Sequence, residues 1–253
     1  MSMTPDRTRK LLEAQGAILK GHFVGTSGLH LDTYVAKDRA TLLSSVASKL
    51  CSGIAERFAD EDIDAVVSPA LGGIALSQWT AHHLTRLRPD RPEVLTLYAE
   101  HQEDVITASK YASISLDIID GRKTVSVTLE KGDQLIIKHP AFVLRRGFAA
   151  DVNGRRILLV EDILTTGGSA RRAAHAVIDV GGNLIAIGVL ANGGNVTATD
   201  LGVRRLEALM DVNRNSYSEA DCADHGLCFK GIPVNTEYGH GKAFLERREV
   251  EQG

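Results

Sequence analysis

Residues 157–169 read ILLVEDILTTGGS, and this run limits the possible folds more than any other part of the chain. Four apolar residues, Ile157 to Val160, predict a strand buried on both faces. Glu161 and Asp162 follow at its carboxyl end, where open α/β sheets bind ligands. Two adjacent carboxylates there can accept hydrogen bonds from a vicinal diol such as that of ribose. Thr165, Thr166, Gly167, Gly168 and Ser169 then turn into a helix, so that backbone N–H groups, hydroxyls and the helix N-terminus converge on an anion. The run is neither a GxxxxGK(S/T) triphosphate loop nor a GxGxxG dinucleotide turn.

The flanking sequence repeats the same alternation. Leu42, Leu43, Val46, Leu50, Ile54 and Phe58 recur at three- and four-residue steps and predict one amphipathic helix over 38–58. A short strand at 65–67, a helix through Leu76 to Leu84 and a strand at 94–98 follow. After the 157–169 run come a helix over 170–180, closed by Gly181-Gly182, and a buried strand at 184–190. Apolar strands alternating with helices imply an α/β fold, a doubly wound parallel sheet flanked by helices. The reading is one domain over 1–253, with its core at about 38–102 and 142–212. Residues 1–37 carry a short helix around 7–15 and strand-like pieces at 18–24 and 29–35. Alternation around Asp120-Gly121 predicts an inserted β-hairpin arm over about 103–141, and the polar tail after Asp211 reads as irregular up to its charged end.

Composition then excludes whole classes of function. The 29 Lys and Arg nearly balance 32 Asp and Glu, a net charge of −3, so no broad basic field is available for nucleic acid. No run of about 18 apolar residues predicts a membrane span, and the first ten residues do not resemble a secretory leader. Three cysteines, Cys51, Cys222 and Cys228, are too few for a disulfide framework and suit a reducing, cytoplasmic setting. Cys222 and Cys228 with Asp224 and His225 lack CxxC spacing and a second pair, and so are not read as a metal cluster. The 24 glycines are the distinctive count, since pairs at 72–73, 167–168, 181–182 and 193–194 each follow an apolar run.

The 157–169 run resembles the phosphoribosyl pyrophosphate (PRPP) motif of the type I phosphoribosyltransferases. Gly21 to His30, reading GHFVGTSGLH, is similar to the N-terminal signature of the orotate branch of that family, in which a short hairpin forms the hood. Ser68 to Ile74, reading SPALGGI, looks like its pyrophosphate loop, and FVLRRGF at 142–148 resembles the segment before its PRPP strand. The tail around Cys222, Cys228 and Lys230 to Pro233 is similar to the same branch.

The resemblance implies a Mg²⁺-dependent transfer of the phosphoribosyl group from PRPP to orotate, in a homodimer. It places ribose on Glu161 and Asp162 and the 5′-phosphate on Thr166 to Ser169, with Thr165 also facing the base. It places pyrophosphate on Ala70, Leu71, Gly72 and Gly73, with Mg²⁺ held mainly by PRPP and water and by no dedicated protein ligands. The catalytic set it implies is Asp162, Glu161 and Arg146, with Arg145 also on PRPP and Lys138-His139 as weaker cationic candidates. The chain departs from the family pattern at Thr26, in the base-binding hood, where lysine is common, at Asn192-Gly193-Gly194, where an arginine is common, at Gly72, where a pyrophosphate-loop lysine is common, and in the catalytic loop, whose usual Lys and His give way to the enlarged region 101–145. The first two departures bear on the orotate carboxylate, and the last on turnover. The sequence therefore leaves open another acceptor base, or a regulator that binds PRPP without turnover.

Overall fold

The computed structural model describes residues 2–25, 27–102, 104–107, 115–119, 122–126, 134–137 and 141–252. In chain order it forms α1 (Pro5–Ala14), β1 (Ile18–Val24), β2 (His30–Val35), α2 (Lys37–Thr41), α3 (Ser44–Arg57), β3 (Ala65–Pro69), α4 (Ile74–Leu87) and β4 (Leu95–His101). Next come β5 (Asp104–Thr107), β6 (Ser115–Ile119), β7 (Arg122–Ser126), β8 (Gln134–Ile137), β9 (Phe142–Val143), α5 (Phe148–Val152), β10 (Arg156–Leu164) and α6 (Gly168–Asp179). The chain ends with β11 (Asn183–Asn192), α7 (Ala198–Leu201), β12 (Leu206–Asp211), β13 (Ser216–Tyr217), α8 (Glu219–Asp224) and α9 (Gly241–Gln252).

A six-stranded sheet in the order β12-β11-β10-β3-β4-β9 carries the fold. All neighbours are parallel except β9, which pairs antiparallel with β4. Side chains of β10 alternate between two cores. Leu158 and Val160 join α3 and α4 residues such as Leu50, Ile54 and Leu84, whereas Ile157 and Leu159 join α6 residues Ala173 and Val177. Burial on both faces is why Ile157 to Val160 are all apolar, as the sequence predicts. From β3 the chain moves one way to β4, and from β10 it moves the other way through β11 to β12. The winding therefore reverses between β3 and β10, and a crevice opens at their carboxyl ends.

A second, three-stranded sheet in the order β1-β2-β13 joins the N-terminal hairpin to the tail. Separately, β5 pairs with β8 and β6 with β7, both antiparallel. The Asp120-Gly121 turn proposed for this region lies outside the described residues.

Three sequence expectations are corrected. The single helix over 38–58 is two helices, because Leu43 takes an extended backbone and, with Leu42, faces solvent rather than core. The strand expected to stop at Val160 runs to Leu164, since β11 continues beside it to Asn192. The tail is not irregular up to its charged end: α8 forms there, capped by the Ser218 hydroxyl accepting from the Asp221 N–H at 3.1 Å.

Candidate active site

Glu161 and Asp162 sit where β10 loses a neighbour. Pairing with β3 covers only Ile157 to Leu159, while pairing with β11 continues to Leu164, so beyond Leu159 one edge of β10 opens into the crevice. Both carboxylates are buried, and Glu161 Oε2 has no hydrogen-bond partner. Burial, and then the Asp162 charge, push the Glu161 carboxyl up to about 8. Asp162 Oδ2 lies 3.3 Å from the Lys37 ammonium at the start of α2. Burial opposes the Lys37 charge, but Asp162 outweighs it and holds the ammonium above its usual pKa. A buried acceptor without a donor, in a pair with one shared cation, is suited to the hydroxyls of a diol.

The turn after β10 leads through Gly167, left-handed at φ 70°, into α6. Thr165, Thr166, Gly168 and Ser169 line a cleft of about 770 Å³ together with Gly25, Ser27, Arg172, Gly193 and Arg214. Arg172 stands beside the turn, its guanidinium 3.5 Å from Ser169 Oγ and its Nε buried without a partner. Gly194 backs directly onto the turn, since a Cβ there would fall on the Thr165 carbonyl oxygen. On the opposite wall, a Cβ on Gly193 would lie 3.2 Å from Arg214 Cζ, so the Arg214 guanidinium fills the space beside that glycine. Burial lowers the Arg214 pKa while Asp32 opposes the shift. Asp32 also accepts from the Asn215 backbone and side chain, at 3.1 and 2.7 Å, tying β2 to the segment that bears Arg214.

The loop after β3 closes the other side of the crevice. A Cβ on Gly72 would lie 2.8 Å from Asp162 Oδ2 and 3.5 Å from Lys37 Nζ, so glycine lets this loop reach the acid pair. Ala70 and Leu71, joined by a cis peptide, line a second cleft of about 360 Å³ with Tyr98, Glu100 and Arg146. Arg146 Nε donates to Glu100 Oε1 at 2.7 Å, and the exposed pair stands at the cleft rim. Arg145 is exposed on the same turn.

The sequence-derived residues thus gather at one crevice: Glu161 and Asp162 at its floor, 165–169 on one side, 70–73 on the other, and Arg146 at the rim of the adjoining cleft. Thr26 lies outside the described residues, although its neighbours Gly25 and Ser27 line the larger cleft; Lys138-His139 also lies outside them. Sequence reasoning missed Lys37, Arg172 and Arg214. Arg172 alone had a local signal, being one helical turn beyond Ser169.

A buried acid pair between the 165–169 turn and the 70–73 loop, at the switch point of a doubly wound sheet, is an arrangement suited to a phosphorylated sugar. The chain belongs to the phosphoribosyltransferase family, whose phosphoribosyl transferase domain model matches residues 41–206. It is 34% identical over 232 residues to orotate phosphoribosyltransferase of Pelotomaculum thermopropionicum, covering 92% of this chain and 96% of that one. Its fold is similar to that of Mycobacterium tuberculosis orotate phosphoribosyltransferase, with a TM-score of 0.53 and 23% identity over 82% of this chain and 97% of that one. The fold is likewise similar to that of a phosphoribosyltransferase from Corynebacterium diphtheriae, with a TM-score of 0.51 at 20% identity over 81% of this chain and 96% of that one.

Proposed function

We propose that the protein transfers the 5-phosphoribosyl group from PRPP to orotate, giving orotidine 5′-monophosphate and pyrophosphate. The observation that carries this reading is the buried acid pair, with its unpartnered Glu161 oxygen, between the 165–169 turn and the 70–73 loop. Breaking the C1–O bond of PRPP builds positive charge on the ribose and negative charge on the departing pyrophosphate. Glu161 and Asp162 accept from the ribose hydroxyls, and the Asp162 carboxylate places a negative charge beneath the cationic ring. Backbone N–H groups and hydroxyls of 166–169, with Arg172, hold the 5′-phosphate. Lys37, the 70–73 loop, Arg145 and Arg146 receive the pyrophosphate.

Mg²⁺ fits this crevice, because the donors facing it from β10 are carboxylate oxygens, the hard ligands that ion prefers. Bound mainly through PRPP and water beside Glu161 and Asp162, it supplies further charge neutralisation to the leaving group. The acceptor base enters the larger cleft beside Thr165. There Arg214 offers the planar fork that a carboxylate takes bidentately, replacing the cation missing at Gly193 and Gly194. That replacement favours orotate over a base without a carboxylate. A cytoplasmic setting and a homodimer belong to the same reading, the dimer being checked by sedimentation.

The test is pyrophosphate release with Mg²⁺, PRPP and a panel of bases. Release with orotate alone is expected. Release with a different base reassigns the acceptor, and PRPP binding without release makes the protein a regulator.

A further inference from the structure

His22 on β1, His30 on β2, and Cys222 and Cys228 of the tail meet behind the hood, 192 or more residues apart in sequence between the two pairs. One ligand atom from each lies within 4.8 Å of all the others. His22 Nε2 is 2.6 Å from His30 Nδ1, 3.7 Å from Cys222 Sγ and 3.9 Å from Cys228 Sγ. Cys228 Sγ is 3.7 Å from His30 Nδ1. Zinc bonds of about 2.05 Å to nitrogen and 2.3 Å to sulfur give tetrahedral edges of about 3.5 Å between N and S and about 3.3 Å between two N. The three N–S separations already approach that edge, and the two imidazoles need to part by under about 1 Å.

Hydrogen bonds orient two of the four ligand groups. His22 Nδ1 donates to the Ile232 carbonyl at 2.8 Å, which leaves the Nε2 lone pair facing the cluster. The Cys228 N–H donates to Cys222 Sγ at 3.2 Å and ties the two cysteines together. His22, His30 and Cys222 are buried, and His30 packs edge-to-face on Phe244 with centroids 4.8 Å apart. None of the four residues lines either cleft, and the group contains no carboxylate, so it is separate from the site described above.

We infer that His22, His30, Cys222 and Cys228 bind one structural Zn²⁺. Two thiolates and two imidazoles in a closed, buried tetrahedron match the donor set of structural zinc, and both thiols release their protons on binding. The ion staples the β1-β2 hairpin to the tail, beside Gly25, Ser27, Leu29 and Leu31, which line the larger cleft. The second ligand pair absent from the tail sequence is thus contributed by the N-terminal hairpin, at a spacing no local motif would reveal.

Zinc content of the full-length protein, purified without chelator and measured by mass spectrometry, tests this. About one zinc per chain is expected, falling below about a tenth in Cys222→Ser and in His30→Asn. Loading metal-stripped wild-type protein with Co²⁺ should give the intense visible bands of tetrahedral thiolate coordination, a readout that does not depend on any variant folding. Full zinc content in the Cys222→Ser variant would overturn the assignment. So would wild-type protein that holds no zinc and takes up no Co²⁺, or a Cys222–Cys228 disulfide in freshly purified, metal-free protein.

Discussion

The Lys37 ammonium lies 3.3 Å from Asp162 Oδ2 and 3.5 Å from where a Cβ on Gly72 would stand, so one cation at the start of α2 sits between the acid pair and the 70–73 loop. Replacing it with a neutral chain of similar length removes attraction for the leaving group and leaves the carboxylates less compensated. Lys37→Met should raise KM for PRPP about tenfold or more, with a smaller change in KM for the base. Steady-state kinetics with each substrate varied in turn measures the split.

Glu161→Gln should abolish turnover while stabilising the protein at alkaline pH. The native state keeps the Glu161 proton until about pH 8, whereas an unfolded glutamate releases it near 4.5. Between those values the native state binds more protons, so this group's contribution to stability declines as pH rises. Glutamine has no proton to lose. The variant's advantage should be near zero at pH 4.5 and reach about 2–4 kcal/mol above pH 8, read from melting curves across that range.

Arg214→Leu should weaken the base and leave PRPP alone. Losing a charge-assisted fork to a carboxylate costs about 1.5–3 kcal/mol, or roughly 10- to 150-fold in KM for orotate. Isothermal titration with PRPP should give an unchanged affinity for the variant.

Gly194→Ala forces a methyl group onto the Thr165 carbonyl and displaces the 165–169 turn, to which we assign the 5′-phosphate. A loss of about 1–3 kcal/mol in stability and a marked loss of PRPP affinity are expected, checked by melting temperature and by titration.

What the sequence made legible was contiguous. Ile157 to Ser169 spells strand, acid pair, turn and helix in order, and the structure keeps that order because each step depends on near neighbours. Gly72-Gly73 was legible for the same reason, following β3 directly. Arg214 was not, because it reaches Gly193 only after β12 has been laid beside β11. Lys37 was invisible as a partner of Asp162, and His22 and His30 as neighbours of the tail cysteines, since those contacts exist only once the hood closes on the sheet. The end of β10 was misplaced because charge suggested solvent at Glu161, while β11 went on supplying hydrogen bonds to Leu164. The break at Leu42-Leu43 was hidden by a helical spacing that continues through residues facing away from the core.

The central claim is that Glu161 and Asp162 hold the ribose of PRPP during transfer to orotate. It is tested most directly by the rate of pyrophosphate release with Mg²⁺, PRPP and orotate in wild-type protein and in Asp162→Asn, both shown to be folded. Orotate-dependent release by the wild type and a loss of at least about 100-fold in the variant are predicted. Equal rates in the two proteins, or no orotate-dependent release by the wild type, would contradict the account.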